Sequence, residues 1–488
     1  MPDTLAPVQP AKLIIDGRPV DAASGEVFHT INPATEEPVC AVARAGPEDV
    51  DRAVRAARAA FESGPWPRMR PAERQKVLWR LGDLILEHAD EIARLETLDN
   101  GKPIFESRQI DVPMVAGCFH YFSGWTTKLT GDTVPVSPSW LTYTVREPIG
   151  VVGAIVPWNF PMIMVGWKCA PALAAGNCVV LKPAAETPLT AVRIGELALE
   201  AGLPPGVLNV VPGPGSSAGA ALVRHPGVDK ITFTGSTEVG KQIMRECAET
   251  VKKVTLELGG KSPNIVFADA DLEAAVRGAY NGIFYGKGEV CAAGSRLLVE
   301  ASIHDEFVAR LADRAKKLVP ADPMDPKTRL GALINQSQMN KVLGYVQVGV
   351  DEGAKVVAGG QRQPVNGKGY FVQATVLDRV ENRMRVAQEE IFGPVVAVIP
   401  FEGPDEAVAK GNQIFYGLAA GVWTRDVKKA HTVARRLQAG TVWVNMYNFY
   451  DPGMPFGGVK GSGFGRDLGA ESVREFTQVK SVWMNLEP

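Results

Sequence analysis

The run Gly288-Glu289-Val290-Cys291-Ala292-Ala293-Gly294-Ser295-Arg296 sets a thiol among small residues, open to a substrate carbon. A cysteine thiolate is the strongest nucleophile among ordinary side chains when its surroundings favour ionisation. Cysteine is also a small hydrophobe that buries readily, so Cys291 alone supports either reading. Three other clusters bear on the choice. Leu256-Glu257-Leu258-Gly259-Gly260-Lys261 closes a run in which Val254, Leu256 and Leu258 alternate with Lys253, Thr255 and Glu257. The alternation predicts a strand ending on an acid that points off the packed face: a movable general base or an exposed strand-end carboxylate. Pro157-Trp158-Asn159-Phe160-Pro161 presents an amide between prolines, either an oxyanion donor or a turn asparagine. Phe233-Thr234-Gly235-Ser236-Thr237-Glu238-Val239-Gly240 closes a strand and opens a helix. Its Ser236 and first free amides offer a phosphate seat, or the serine is a plain helix cap. That segment lacks the Gly-x-Gly-x-x-Gly of the usual dinucleotide fingerprint. Gly213-Pro214-Gly215-Ser216-Ser217-Ala218-Gly219 is a weaker phosphate loop, because Pro214 removes a donor.

These residues need elements to hold them. The first 130 residues read as helices, one from Pro47 to near Gly64 and a longer one from Pro71 to Asn100-Gly101. From Gly150 short apolar runs alternate with helical segments: Val151–Val156, Cys178–Leu181, Leu208–Val211 and Lys230–Phe233 are strand-like. A second series runs through Asn264–Phe267, Arg296–Val299, Val395–Pro400, Ala419–Thr424 and Thr441–Asn445. Such alternation predicts an α/β protein with two mostly parallel sheets and a cleft between two lobes. Thr142–Arg146 and Ser481–Leu486 read as strands outside both series, the kind of edge that pairs with another subunit.

The totals exclude several classes. A chain of 488 residues implies about three domains. With 45% hydrophobic and 22% charged residues and a formal charge of −2, it advertises no nucleic-acid face. The amino end, Met1 to Gln9, shows no secretory signal, and no apolar run approaches the ~18 residues of a membrane span, so a cytoplasmic protein is expected. The 6 cysteines form no Cys-x-x-Cys pair and suit free thiols in a reducing compartment; no metal-ligand spacing appears, and no metal is expected.

Taken together, the clusters identify the chain by resemblance with the aldehyde dehydrogenase superfamily, of the hydrolytic, non-CoA-acylating kind. The matching runs are Pro157-Trp158-Asn159, Lys182-Pro183-Ala184, Phe233-Thr234-Gly235-Ser236, Glu257-Leu258-Gly259-Gly260-Lys261 and Cys291. Glu389-Glu390-Ile391-Phe392-Gly393-Pro394 and Pro455-Phe456-Gly457-Gly458-Val459-Lys460-Gly461-Ser462-Gly463 complete the series over essentially the whole length.

The resemblance implies two Rossmann-like α/β domains and a small β oligomerisation element. Residues 1–130 and 149–260 would form the dinucleotide-binding domain, 261–465 the catalytic domain, and 131–148 with 466–488 the oligomerisation element. It implies Cys291 as nucleophile, Glu257 as base, Asn159 as oxyanion donor, and Lys168 as a further catalytic residue. NAD would be the cofactor. Ser236 and Gly235 would hold the pyrophosphate, Lys182 the adenosine ribose and Glu390 the nicotinamide ribose, with Phe392, Pro157 and Trp158 alongside. Ile155, Ala185, Gly215, Phe233 and Leu258 would complete the cofactor site. Phe160, Met164, Trp167, Tyr285, Val290, Tyr450 and Phe456 would line a tunnel for apolar or aromatic aldehydes, a set without arginine. Asp451 leaves a cationic, betaine-aldehyde-like substrate open. A homodimer or homotetramer is implied, without nucleic-acid or membrane partners. A cofactor-independent thiol esterase and a catalytically retired structural relative are the alternatives.

Three departures from the family pattern stand out. Ala185 replaces the glutamate that NAD-preferring relatives often carry three residues after the lysine, with Glu186 one step later; NADP tolerance is therefore expected. Glu289 replaces the common glutamine before the nucleophile, and a nearby anion would raise the thiol pKa unless it is paired or turned away. Lys287 stands where many relatives have a neutral residue.

Overall fold

A computed structural model describes residues 7–487. The reading of the amino end as free of a signal therefore falls largely outside the described residues, as do the first six residues and the last of the expected domain boundaries.

Apolar runs buried on both faces suit central parallel strands. Val151–Ile155, Cys178–Lys182, Leu208–Val210 and Lys230–Thr234 are such strands, and with the alternating Lys253–Glu257 they lie mutually parallel within one eight-stranded sheet. A second, seven-stranded sheet aligns Pro263–Val266, Arg296–Glu300, Thr375–Asp378, Val395–Phe401, Ala419–Trp423 and Thr441–Val444 in parallel, with Lys355–Ala358 antiparallel at its edge. All nine strands read from the sequence in these two series lie within one residue of their observed ends. Thr375–Asp378 and Lys355–Ala358 were not anticipated.

In the first sheet the five parallel strands run 253–257, 230–234, 151–155, 178–182, 208–210 across the sheet. Chain order reverses between 151–155 and 230–234, and ligands of open α/β sheets bind in the crevice outside such a switch point. The carboxyl ends of those two strands carry Pro157-Trp158-Asn159 and Gly235-Ser236. Segment 258–262 then joins the carboxyl end of this sheet to the amino end of the next. Cys291 and Glu390 precede the second-sheet strands Arg296–Glu300 and Val395–Phe401. The carboxyl edge of one sheet thus meets the amino edge of the other.

The amino-terminal region differs from the all-helical expectation. Leu13–Ile15 and Arg18–Val20 form a hairpin on the far edge of the first sheet, and Val27–Asn32 pairs with Glu37–Ala43. The Asp16-Gly17 turn of that hairpin has φ 52° and 71°, the left-handed pair that Asp-Gly turns provide. The expected helix from Pro71 is two helices, Pro71–Glu87 and Ala89–Asn100, broken at His88 with ψ 21°. Asp90 and Glu91 restart it by complementing the exposed amides of the new first turn. Near the other end, Gly463–Phe464, a segment not anticipated as a strand and counted with the catalytic domain, pairs antiparallel with Leu256-Glu257 in the first sheet.

The two strands outside both series are longer than expected, Trp140–Pro148 and Thr477–Asn485, and pair antiparallel with each other over their full length. Among the described residues the six cysteines are free, and no His/Cys/Asp/Glu group could hold a metal ion. No helix among them is long and apolar enough to cross a membrane.

Candidate active site

The nucleophile loop begins with three consecutive left-handed residues, Gly286 (φ 56°), Lys287 (φ 62°) and Gly288 (φ 73°). Gly288 is required there, because a Cβ would stand 2.2 Å from the Gly393 carbonyl oxygen. This tight turn packs the loop under Gly393 and delivers Cys291 half-buried to the cleft. Glu289 is paired: its Oε2 lies 2.7 Å from the Lys287 ammonium, and its Oε1 accepts from the Ile334 amide at 3.0 Å. Both unusual residues therefore sit together, buried, with the acid turned away from the thiol.

Two cavities share Cys291 as a wall residue. The larger, about 550 Å³, is aromatic and includes all seven residues expected for the substrate tunnel. Phe160, Met164 and Trp167, at the mouth and along one face of the buried helix Pro161–Ala174, supply one side. Phe160 stacks on Tyr285 at 5.8 Å, and Trp167, Tyr450 and Phe456 pack mutually at 5.3–5.8 Å. The wall also holds residues the sequence did not mark, among them Phe105, Met114, Tyr280, Phe284 and Phe449. Tyr280 and Phe284 are one turn apart on helix Leu272–Phe284, a spacing that could have exposed them.

The expected uncharged lining needs correction. Arg329 and Glu106 both reach this cavity, brought from segments with no motif of their own. The Arg329 guanidinium lies 4.0 Å from the Phe105 ring centroid. Burial pushes the Glu106 carboxyl up to about 8, so it is largely neutral at pH 7. Asp451 is not a wall residue among those described; it caps the Gly453 amide at 2.8 Å.

The smaller cavity, about 200 Å³, is lined by Pro157, Trp158, Asn159, Gly235, Ser236, Glu257, Glu390 and Phe392, with Cys291 at its inner end. Thr234, Gly259, Gln338 and Lys341 join them. The last two sit one turn apart on helix Gln336–Asp351, which carries no cofactor motif. The Gly260 amide donates to Glu390 at 3.0 Å, and Trp158 meets Phe392 edge-on at 5.3 Å. Gly259 keeps this wall open, since a Cβ there would lie 2.4 Å from the Glu390 carboxylate. Ser236 caps helix Thr237–Ala248, its hydroxyl accepting weakly from the Val239 amide at 3.4 Å. A phosphate facing those first amides, with a ribose against Glu390, suits this donor set.

The remaining expected cofactor residues are not among those that line this cavity. Lys182 is buried at its strand end, and burial pulls its ammonium down to about 8. Ala185 is half-buried two residues before a buried turn, Gly215 is exposed, and Ile155, Phe233 and Leu258 are buried core. Phe233 backs Gly235 closely, and Leu258 backs Gly240.

Glu257 and Cys291 control each other. Burial pushes the Glu257 carboxyl up to about 7; the Lys168 charge opposes that rise and the Asp467 charge adds to it. Neither of its oxygens has a hydrogen-bond partner among the described residues, which leaves both for a thiol or a water. Burial, and then Glu257, pushes the Cys291 thiol well above its ordinary range. Asn159 Nδ2 donates to the Glu289 carbonyl at 2.9 Å, leaving its second N–H toward the cavity. Lys168 stands off both cavities, its ammonium 2.7 Å from Asp467.

The cleft thus brings a half-buried thiol, a carboxyl and the amino end of a helix together. The chain belongs to the aldehyde dehydrogenase family, whose model matches residues 20–482. It is 52% identical over 476 residues to the putative aldehyde dehydrogenase DhaS of Bacillus subtilis, covering 98% of this chain and 96% of that one. It is 49% identical to human mitochondrial aldehyde dehydrogenase, over 95% and 89% of the two chains. An aldehyde dehydrogenase from Bacillus cereus, solved as an NAD+ complex, superposes with a TM-score of 0.97 at 49% identity over 98% and 97% of the chains. An indole-3-acetaldehyde dehydrogenase in complex with NAD+ superposes at 0.96 with 48% identity over 98% and 97%.

A base must be ionised to act, so with Glu257 as the expected base its carboxyl at about 7 would set an acidic limb. Turnover should fall as pH drops below about 7. A pH–kcat profile flat down to pH ~5, near an unperturbed glutamate, contradicts this assignment.

Proposed function

We propose that the protein oxidises apolar or aromatic aldehydes to free carboxylic acids with NAD, using Cys291 as nucleophile. The observation that carries this reading is that Cys291 belongs to the walls of both cavities, with Glu257 beside it in the smaller one. A trigonal aldehyde carbon does not readily release hydride, whereas a tetrahedral alkoxide does. Cys291 Sγ adds to the carbonyl carbon, and the thiol proton passes to Glu257. The Asn159 side chain and the Cys291 amide donate to the resulting oxyanion; losing one such donor costs roughly 10²–10³ in rate.

When bound against Ser236, Trp158 and Glu390, NAD+ provides the hydride acceptor. Loss of hydride from the alkoxide carbon leaves a thioester on Cys291. Glu257, having released the thiol proton to solvent, then takes a proton from water. The hydroxide adds to the thioester carbon, the carbon–sulfur bond breaks as the acid leaves, and Sγ takes from Glu257 the proton drawn from that water. Lys168, through its charge, keeps Glu257 ionisable in a dry site.

The aromatic wall supports aryl and arylacetaldehydes, of the phenylacetaldehyde or benzaldehyde type, and a relative named for indole-3-acetaldehyde fits the same chemistry. The eight-stranded sheet would serve cofactor binding and the seven-stranded sheet catalysis. The ribbon of Trp140–Pro148 and Thr477–Asn485, with exposed Trp140 and Trp483, would join subunits as a dimer or dimer of dimers.

A Glu257→Gln variant mixed with NAD and phenylacetaldehyde should retain the mass of one acyl group on Cys291, read by intact-protein mass spectrometry. Normal steady-state turnover by that variant refutes the role of Glu257. Because Ala185 offers no carboxylate to repel a 2′-phosphate, the ratio of kcat/KM for NAD over NADP should stay below ~10³. A larger ratio, about 4 kcal/mol of discrimination, refutes the tolerance.

A further inference from the structure

Lys287 occupies a backbone conformation that suits glycine, between two glycines that share it. Its side chain explains why a lysine stands there. The buried ammonium donates to the Asn100 carbonyl and to Asn100 Oδ1, both at 2.8 Å, and pairs with Glu289 Oε2 at 2.7 Å. The ammonium thus spends two N–H groups on Asn100, and the Glu289 carboxylate beside it is its counter-charge.

Each partner leads back to the amide proposed to hold the oxyanion. Asn100 Nδ2 donates to the Trp158 carbonyl at 2.7 Å and, at 3.4 Å, to the carbonyl of Asn159 itself. Asn159 Nδ2 donates to the backbone carbonyl of Glu289 at 2.9 Å. The carboxylate of Glu289 returns to Lys287 and is anchored on the Ile334 amide at 3.0 Å. Lys287, Asn100, Asn159 and Glu289 form a closed ring, wholly buried, two residues before the nucleophile. The ring fixes the backbone of Asn159 from one side and its side-chain nitrogen from the other. One N–H of that amide is committed to the ring, which aims the second.

We infer that Lys287 is a positioning residue for the oxidation: it aims the Asn159 amide at the oxyanion by clamping Asn100 and Glu289, without touching substrate or cofactor. The inference rests on the reading of Asn159 as an oxyanion donor. The same clamp holds the Glu289 charge away from Cys291, so the two departures from the family pattern act as a unit. Glu289 without a counter-ion would be an unpaired buried acid, and Lys287 without Glu289 an unpaired buried base.

The test is a double-mutant cycle on the rate of NADH formation in a single turnover, with NAD and phenylacetaldehyde at saturation. Lys287→Met should slow that rate roughly 10²-fold in the otherwise native enzyme, the scale of a misplaced catalytic group. In an Asn159→Ala background, where nothing remains to be aimed, the same change should cost less than about threefold. The NAD dissociation constant, read by fluorescence, should be unchanged by Lys287→Met. Should that variant fold poorly, Lys287→Gly, which relieves the left-handed backbone, enters the same cycle with the same expectation. An equal loss in both backgrounds, or a loss of NAD binding, makes Lys287 an ordinary scaffold residue and overturns the inference. An Asn159→Ala enzyme with native rate overturns the oxyanion reading beneath it as well.

Discussion

A thiol and a carboxyl buried face to face cannot both carry charge cheaply, and this site is organised around that constraint. Burial raises both Cys291 and Glu257, and the Glu257 charge raises the thiol further. A fully hydrated site would leave the carboxyl near its ordinary value, ionised but too weak a base for neutral pH. A site with a close cation would hold the carboxylate permanently charged. Lys168 escapes that outcome because Asp467 takes its ammonium at 2.7 Å, so only part of its field reaches Glu257.

The two sheets exist, functionally, to bring these groups to one place. Glu257 ends a strand of the first sheet, and Cys291 precedes a strand of the second. Five residues, 258–262, connect the two edges, with Gly259 and Gly260 permitting Glu390 to approach the chain. The antiparallel pairing of Glu257 with Gly463 then ties the distant carboxyl-terminal segment to the same strand. The arrangement places an aromatic chamber on one side of the sulfur and a polar crevice on the other.

Much of this was readable from local pattern. Buried parallel strands are near-continuous apolar runs, so their positions emerged within a residue; Phe160, Met164 and Trp167 came from the family resemblance, and the helix that carries them accounts for their shared side. What escaped has a common physical origin. Asn100, Glu106 and Arg329 reach the site singly from segments far away in the chain, and Gln338 and Lys341 from a helix without a cofactor motif, so none leaves a local trace. The hairpin around Asp16-Gly17 did leave one, a turn dipeptide that outweighs the helical character of the region after it. The pairing of Lys287 with Glu289 was foreshadowed only as two departures in need of each other.

In the proposed reaction one sulfur performs the chemistry, and it is one wall residue among many in the smaller cavity. A Cys291→Ser enzyme tests this most directly, with NAD binding followed by fluorescence and NADH formation followed by absorbance on adding phenylacetaldehyde. The account predicts native affinity for NAD and no detectable aldehyde-dependent NADH. Aldehyde oxidation at the native rate by the serine enzyme would contradict it.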